Sequence, residues 1–294
     1  MPRCAIVLVL LAACGGTVRS GGRTTVLRPA CAAGERWDGG ACVARGGTDD
    51  LDAAEQAFAG LQVDAGHAAL DRAATHPLDH ASYLRLWLQR GQAHGNAEAY
   101  DQARADFSHL LDAEPGYAID CQLGPHVFGP FQEAKAAAAT RALPELELRW
   151  RRDLRLGDPV PIEIETIADP GALMHDLTVY VRERGASAWR AADVGVPAPG
   201  KVERVVLPAV RGKAATALEL FAVASDDRGN EVHLWASPDR PRELPLRYSP
   251  PTPWYRKWWV WAAAGGVVAV GTGVGVYAAV WQPDSTIDAP VGER

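Results

Sequence analysis

The sequence predicts a multi-domain chain of the α-then-β class: helical hairpins, then an antiparallel β-sandwich, then one C-terminal transmembrane helix. Three observations carry this prediction. Apolar residues recur at helical spacing over 49–140, alternate with polar ones over 145–248, and run without a charge over 258–281. The chain has 294 residues, enough for two modest domains, and at 48% hydrophobic it is too apolar to be disordered. Its formal charge is -6, from 36 acidic and 30 basic residues without a basic cluster. That excludes a nucleic-acid partner on electrostatic grounds, because phosphate binding needs concentrated positive charge.

At the start of the chain, Arg3 precedes an apolar run over 5–13, about 14 Å long as a helix and too short for a ~30 Å hydrocarbon core. One positive charge, a short apolar run and then small residues make a signal-peptide layout, assigned to 1–13. Leu11-Ala12-Ala13-Cys14-Gly15 resembles a bacterial lipobox. The resemblance implies cleavage before Cys14 and lipidation of its thiol. Residues 14–48 then read as a lipidated tether with a small disulfide loop, since Cys31 and Cys42 bracket a turn-rich stretch. In an oxidising compartment the two would pair, stabilising the loop by ~2–3 kcal/mol. Cys121 is left over and is expected to be a buried free thiol.

Residues 49–142 are expected to form the helical domain. Leu51, Ala54, Phe58 and Leu61 keep helical spacing, and Tyr100, Ala103, Phe107, Leu110 and Leu111 share a face after a candidate N-cap at Asn96. Trp87, Gly91, Ala103, Phe107 and Pro115 stand at the spacing of a tetratricopeptide repeat, and 50–76 looks like a second, degenerate helix pair. This stretch therefore resembles that family, with Arg90, His94 and Leu110 as departures. The resemblance implies TPR-like hairpins whose first helix would present Arg85, Leu88 and Gln92 as peptide contacts.

Strands are expected at 145–150, 161–167, 177–184, 188–192, 202–207, 217–225 and 231–236, each bounded by Gly, Pro, Asp or Asn. Seven short strands over 145–248 fit an immunoglobulin-like sandwich, and without paired core cysteines the fibronectin-like class fits better. Asp226, Asp227 and Asn230 read as a hairpin turn rather than a calcium site. Residues 238–253 read as a stiff proline-rich spacer that ends in a linker at 249–257.

The uncharged stretch at 258–281 would be about 36 Å long as a helix, enough to span a bilayer with some tilt. Trp258, Trp259 and Trp261 crowd one end and Trp281 marks the other, as interfacial aromatics do. Gly271 and Gly275 form a GxxxG pair, which suits a homo-oligomer through close helix approach. A short tail, 282–294, follows. Arg256 and Lys257 precede the span while Arg294 alone follows it, so the positive-inside count opposes export. Export is preferred, because a signal peptide sets orientation first.

No catalytic constellation appears. The eight histidines are scattered, and Pro77 breaks the helix that would align His76 with His80. No metal ligands at metal-binding spacing and no cofactor motif are found, so no cofactor is expected. The expected function is that of a non-enzymatic, membrane-anchored protein of the bacterial cell envelope, with both domains periplasmic. It would act as a scaffold or adaptor, with membrane lipid and a protein or peptide as partners. The alternatives are a cytosolic tail-anchored tetratricopeptide adaptor and an envelope signalling or regulatory protein.

Overall fold

The computed structural model describes residues 25–250 and 253–262. The signal peptide, Cys14, Gly271, Gly275 and the tail lie outside the described residues. Residues up to Tyr248 form one compact unit, and a second begins at Ser249.

Five α-helices precede the two large sheets' long strands: α1 (Thr48–Ala59), α2 (Val63–Ala73), α3 (His80–Asn96), α4 (Tyr100–Ala113) and α5 (Pro125–Ala138). α1 pairs with α2, α3 with α4, and α5 lies on α4 and α3. α3 starts cleanly because the Asp79 side chain accepts a hydrogen bond from the Ser82 N–H at 2.8 Å. Asn96, expected to cap the next helix, instead ends α3, and a tight turn with Glu98 at φ 60° leads into α4. Cys121 sits in a short 3-10 helix and is exposed, not buried.

Both hairpins use one packing device. A Cβ on Gly91 would lie 2.4 Å from the Phe107 ring, and one on Gly66 would lie 2.5 Å from the Phe58 ring. A glycine on one helix thus seats a phenylalanine from its partner. Gly91→Ala is expected to destabilise the fold by about 1–2 kcal/mol, read as a lower urea midpoint. Overpacking a filled core costs about 1–3 kcal/mol, against about 1 kcal/mol gained in helix propensity. Phe107, fully buried, has little room to give way.

Three short strands precede α1: β1 (Arg28–Pro29), β2 (Glu35–Trp37) and β3 (Cys42–Ala44). The later strands are β4 (Glu145–Trp150), β5 (Val160–Ala168), β6 (Asp176–Glu183), β7 (Arg190–Gly195), β8 (Val202–Leu207), β9 (Thr216–Ser225), β10 (Glu231–Trp235) and β11 (Arg242–Leu246). One sheet runs β4-β5-β8; the other runs β1-β7-β6-β9-β10, with β11 also on β9. All these strand pairs are antiparallel. Ile162 and Ile164 of β5, Leu177, Val179 and Val181 of β6, and Leu220 of β9 are buried at alternating positions and join one core. β2 and β3 form a separate hairpin, and Cys31 is disulfide-bonded to Cys42, the first residue of β3, beside the turn.

β11 falls in the stretch read as a stiff spacer. Leu244 and Leu246 turn inward and are buried, while Pro245, which has no N–H to donate, is tolerated because β11 pairs on one side only.

The helices do not stand apart from the sheets. Leu51, Leu70, Leu78 and Tyr83 belong to the same buried cluster as Leu146, Ile164 and Val232. The seam between them is polar. Asn230 accepts from the Leu78 N–H at 2.8 Å, and the Glu231 N–H donates to the Leu78 carbonyl at 2.9 Å. Glu231 also accepts from the His80 N–H at 3.1 Å and pairs with Arg45 at 2.5 Å. Arg45 donates further to the carbonyls of Leu78 and Gly229, both at 3.1 Å, and of Glu35 at 3.3 Å.

The α-then-β order is seen, but the transmembrane helix is not. Among the described residues no helix is long and apolar enough to cross a membrane. In the second unit a 3-10 turn (Trp254–Arg256) leads to helical residues 258–262, about 7.5 Å of helix against a ~30 Å core. The remainder of the expected span, 263–281, lies outside the described residues.

Candidate functional site

α1 and α3 run side by side and leave a groove of about 590 Å³ between them. Glu55 and Phe58 of α1 form one wall, Arg85, Leu88, Gln89 and Gln92 of α3 form the other, and Leu61 and Val63 form the lip. On α3 these residues recur at intervals of three and four, so one helix face supplies the whole wall. The lining is mainly apolar, and its only charged members are Glu55 and Arg85.

Leu61 is the unusual residue. It sits in the left-handed region at φ 58° yet is 87% exposed. That backbone costs a non-glycine residue about 1–2 kcal/mol, and an exposed leucine recovers none of it by burial. Val63, at the start of α2, is 51% exposed. The turn between α1 and α2 therefore holds two apolar side chains out at the mouth of the groove.

The polar members of the wall are tied down. Arg85 spans to Asp52 and Glu55, at 2.5 Å each. Burial alone would lower the pKa of its guanidinium, but the hydrogen bonds to Asp52 and Glu55 outweigh this and raise it. Two carboxylates around one cation leave this end of the groove with a net charge of minus one. Gln89 is nearly buried and donates to the Leu51 carbonyl at 3.4 Å, holding α3 against α1.

The three positions read from the sequence, Arg85, Leu88 and Gln92, thus lie along one wall. Arg85 is engaged with α1 rather than free. Glu55, Phe58, Leu61 and Val63 were missed, because they come from the preceding hairpin. Leu61, whose spacing reads as part of the α1 face, instead lies beyond the end of that helix, in the turn at φ 58°.

Elsewhere the fold brings together groups that are scattered in sequence. His94 lies 2.6 Å from the buried Asp106 carboxylate, and the His67 ring is 5.4 Å from that of His94. Among the described residues no hydroxyl or thiol is hydrogen-bonded to the His94–Asp106 pair. Asp226 closes the β9–β10 turn: one oxygen accepts from the Arg228 and Asn230 N–H groups, and the other from the Asn230 amide. Cys31, Glu35 and Cys42 approach within 4.8 Å, but both sulfurs are spent on the disulfide.

No family model matches this chain, and no curated protein does. The tetratricopeptide resemblance is accordingly corrected. Two of the five residues that carried it, Gly91 and Phe107, are explained by the seating of the Phe107 ring on Gly91, a packing device that α1 and α2 share through Phe58 and Gly66. Among solved structures, a cohesin module from the family 33 glycoside hydrolase of Clostridium perfringens is similar over 37% of this chain and all of the module. The identity is 9% and the TM-score is 0.22, so the likeness carries no argument about fold or function.

Proposed function

We propose that this chain is a non-enzymatic interaction protein of the bacterial cell envelope that holds a short segment of a partner protein in the groove between α1 and α3. The observation that carries the proposal is the lip. Leu61 is kept exposed in a strained backbone, a cost that folding does not recover and that contact with a partner would. Floor and charge define the segment. Phe58, Leu88 and Val63 suit one large apolar side chain, and the excess carboxylate at Asp52 and Glu55 suits a flanking Lys or Arg. The envelope reading is supported by the Cys31–Cys42 disulfide, which persists in oxidising compartments, and by the signal-peptide layout at 1–13 with Cys14 as the lipid attachment point.

The test is a displayed peptide library panned against the full chain. Enrichment of peptides that pair a large apolar residue with Lys or Arg is expected. Leu61→Gly is the informative variant. It should raise stability by about 1 kcal/mol, because glycine adopts a left-handed turn freely. It should also weaken the selected peptides about tenfold, a loss of ~1.4 kcal/mol. No enrichment above background, or unchanged affinity in Leu61→Gly and in Leu88→Asp, would overturn the proposal.

A further inference from the structure

No stretch of the sequence is basic, yet the fold gathers basic residues at one end of the sandwich. The strand registers decide which loops meet there. Val160 opens β5 opposite Leu207 at the close of β8, and Leu246 closes β11 opposite Thr216 at the start of β9. Glu183 closes β6 opposite Leu218, near that same start of β9. The connections 151–159, 184–189 and 208–215 and the residues after β11 therefore emerge together. Backbone bonds tie three of them to one another. The Leu156 N–H donates to the Arg247 carbonyl, the Arg247 N–H to the Leu154 carbonyl, and the Gly157 N–H to the Val210 carbonyl, each at 2.9 Å.

Arg151, Arg152 and Arg155 come from the first loop, and Arg184 from the second. Arg211 and Lys213 come from the third, and Arg247 follows β11; all seven are exposed. The carboxylates of these loops are Asp153 and Asp158. Asp153 is taken up by Arg151, which bonds it at 3.0 and 2.7 Å, and Arg184 lies 3.5 Å from Glu243 of β11. Five cations are left against Asp158. The helical region has the opposite sign: residues 48–138 hold fourteen acidic and five basic residues. It packs at the other end of the sandwich, where the β9–β10 turn meets the segment before α3. The first unit is thus polarised, negative at its helices and positive at the far loops, and such a field orients a protein before contact.

The course of the chain points to what the basic end faces. The first unit ends at Tyr248, the residue after Arg247, so the chain leaves it from this end. The segment that follows, in its own unit, carries Arg256 and Lys257 and then the exposed Trp258, Trp259 and Trp261. Indole favours the level of lipid headgroups, because its ring is apolar and its N–H is polar. The cations alone would suit any polyanion; cations followed by exposed indoles favour a lipid surface.

We propose that this end of the sandwich rests on an anionic phospholipid surface. Arg152, Arg155, Arg211, Lys213 and Arg247 meet its phosphates, and the acidic helices with their groove are turned away from it. Arginine suits this role because its planar guanidinium can bond two phosphate oxygens at once. The contact does not depend on the function proposed for the groove, and it needs no segment that crosses the bilayer.

The experiment is hydrogen exchange, read by mass spectrometry, on the full chain reconstituted with vesicles. One set is phosphatidylcholine alone, and the other is phosphatidylcholine mixed equally with phosphatidylglycerol. Exchange at 151–159 and 208–215 is expected to slow severalfold on the anionic vesicles alone, while the α1–α2 turn exchanges alike on both. The protection should fade in 1 M salt, where the Debye length falls to about 3 Å. Arg152→Gln combined with Arg211→Gln and Lys213→Gln should remove it, since each cation near an anionic surface is worth about fivefold in binding. Lys201→Gln combined with Arg228→Gln and Arg240→Gln lowers the net charge equally, elsewhere on the sandwich, and should leave it intact. Both triple variants alter exposed side chains and should keep the melting temperature of the unaltered chain, which shows that they are folded. Equal exchange on the two kinds of vesicle, or protection that survives the first triple variant, would overturn the assignment. So would its loss in the second, which would make net charge the cause. Displacement of the loops from the anionic vesicles by an RNA oligonucleotide at matched phosphate would also overturn it and name a nucleic acid as the partner.

Discussion

Replacing Arg45 with alanine is expected to lower stability by about 3–5 kcal/mol, the usual cost of removing one partner of a buried ion pair. Arg45 is 9% exposed and Glu231 17% exposed, so water replaces little of what is lost. Three carbonyls, those of Glu35, Leu78 and Gly229, lose a donor in the same step. They belong to the β2–β3 hairpin, the segment before α3, and the β9–β10 turn, so one side chain ties three parts of the chain together. Urea unfolding would show the loss as a lower midpoint with an unchanged slope. Adding Glu231→Gln to Arg45→Ala should recover about 1–2 kcal/mol, since it removes the uncompensated charge that the first substitution exposed. A loss below about 1 kcal/mol for Arg45→Ala would show that the seam is held by its apolar core instead.

The second large effect is a loss of stability in acid, centred on His233. Burial first, and then the charge of His80, depress its pKa from the ordinary 6.5 to about 4, against a weaker upward pull from Asp169. The folded protein therefore keeps His233 neutral between those values, while the unfolded chain takes up a proton. Its contribution is fully present above pH 6.5 and is lost as pH falls toward 4. The slope is about 1.4 kcal/mol per pH unit, or about 3 kcal/mol across the window. Urea midpoints measured from pH 7 to pH 4.5 should fall along that slope, and His233→Phe should flatten it. Equal slopes in the two proteins would place the acid sensitivity in other groups.

Much of the β-region could be read from the chain. Alternation at Ile162/Ile164 and Val179/Val181 located β5 and β6 to within a residue or two, because a strand with one buried face displays its period directly in sequence. Helical spacing likewise found both hairpins. Turn residues misled at Asn96, where the capping preference of asparagine was outweighed by the length of the α3–α4 turn. β1 and β11 were missed because two residues, or five containing a proline, carry too little periodicity. The candidate groove was half legible: its α3 wall is one helix face, while its α1 wall and lip come from another hairpin.

The sequence by itself determined the order of helices before strands, the apolar faces of the long strands, and one wall of the groove. Each of these follows from residues close together in the chain, whose spacing is set by helix or strand geometry. Only the tertiary structure decided that helices and sheets share one core and that Arg45 closes their seam. It also set the charge at the groove by bringing Asp52 and Glu55 to Arg85. These depend on distance and burial between residues 30 to 186 positions apart, which no local pattern records. Whether an arginine is paired, exposed or unsatisfied is a property of what the folded chain places beside it.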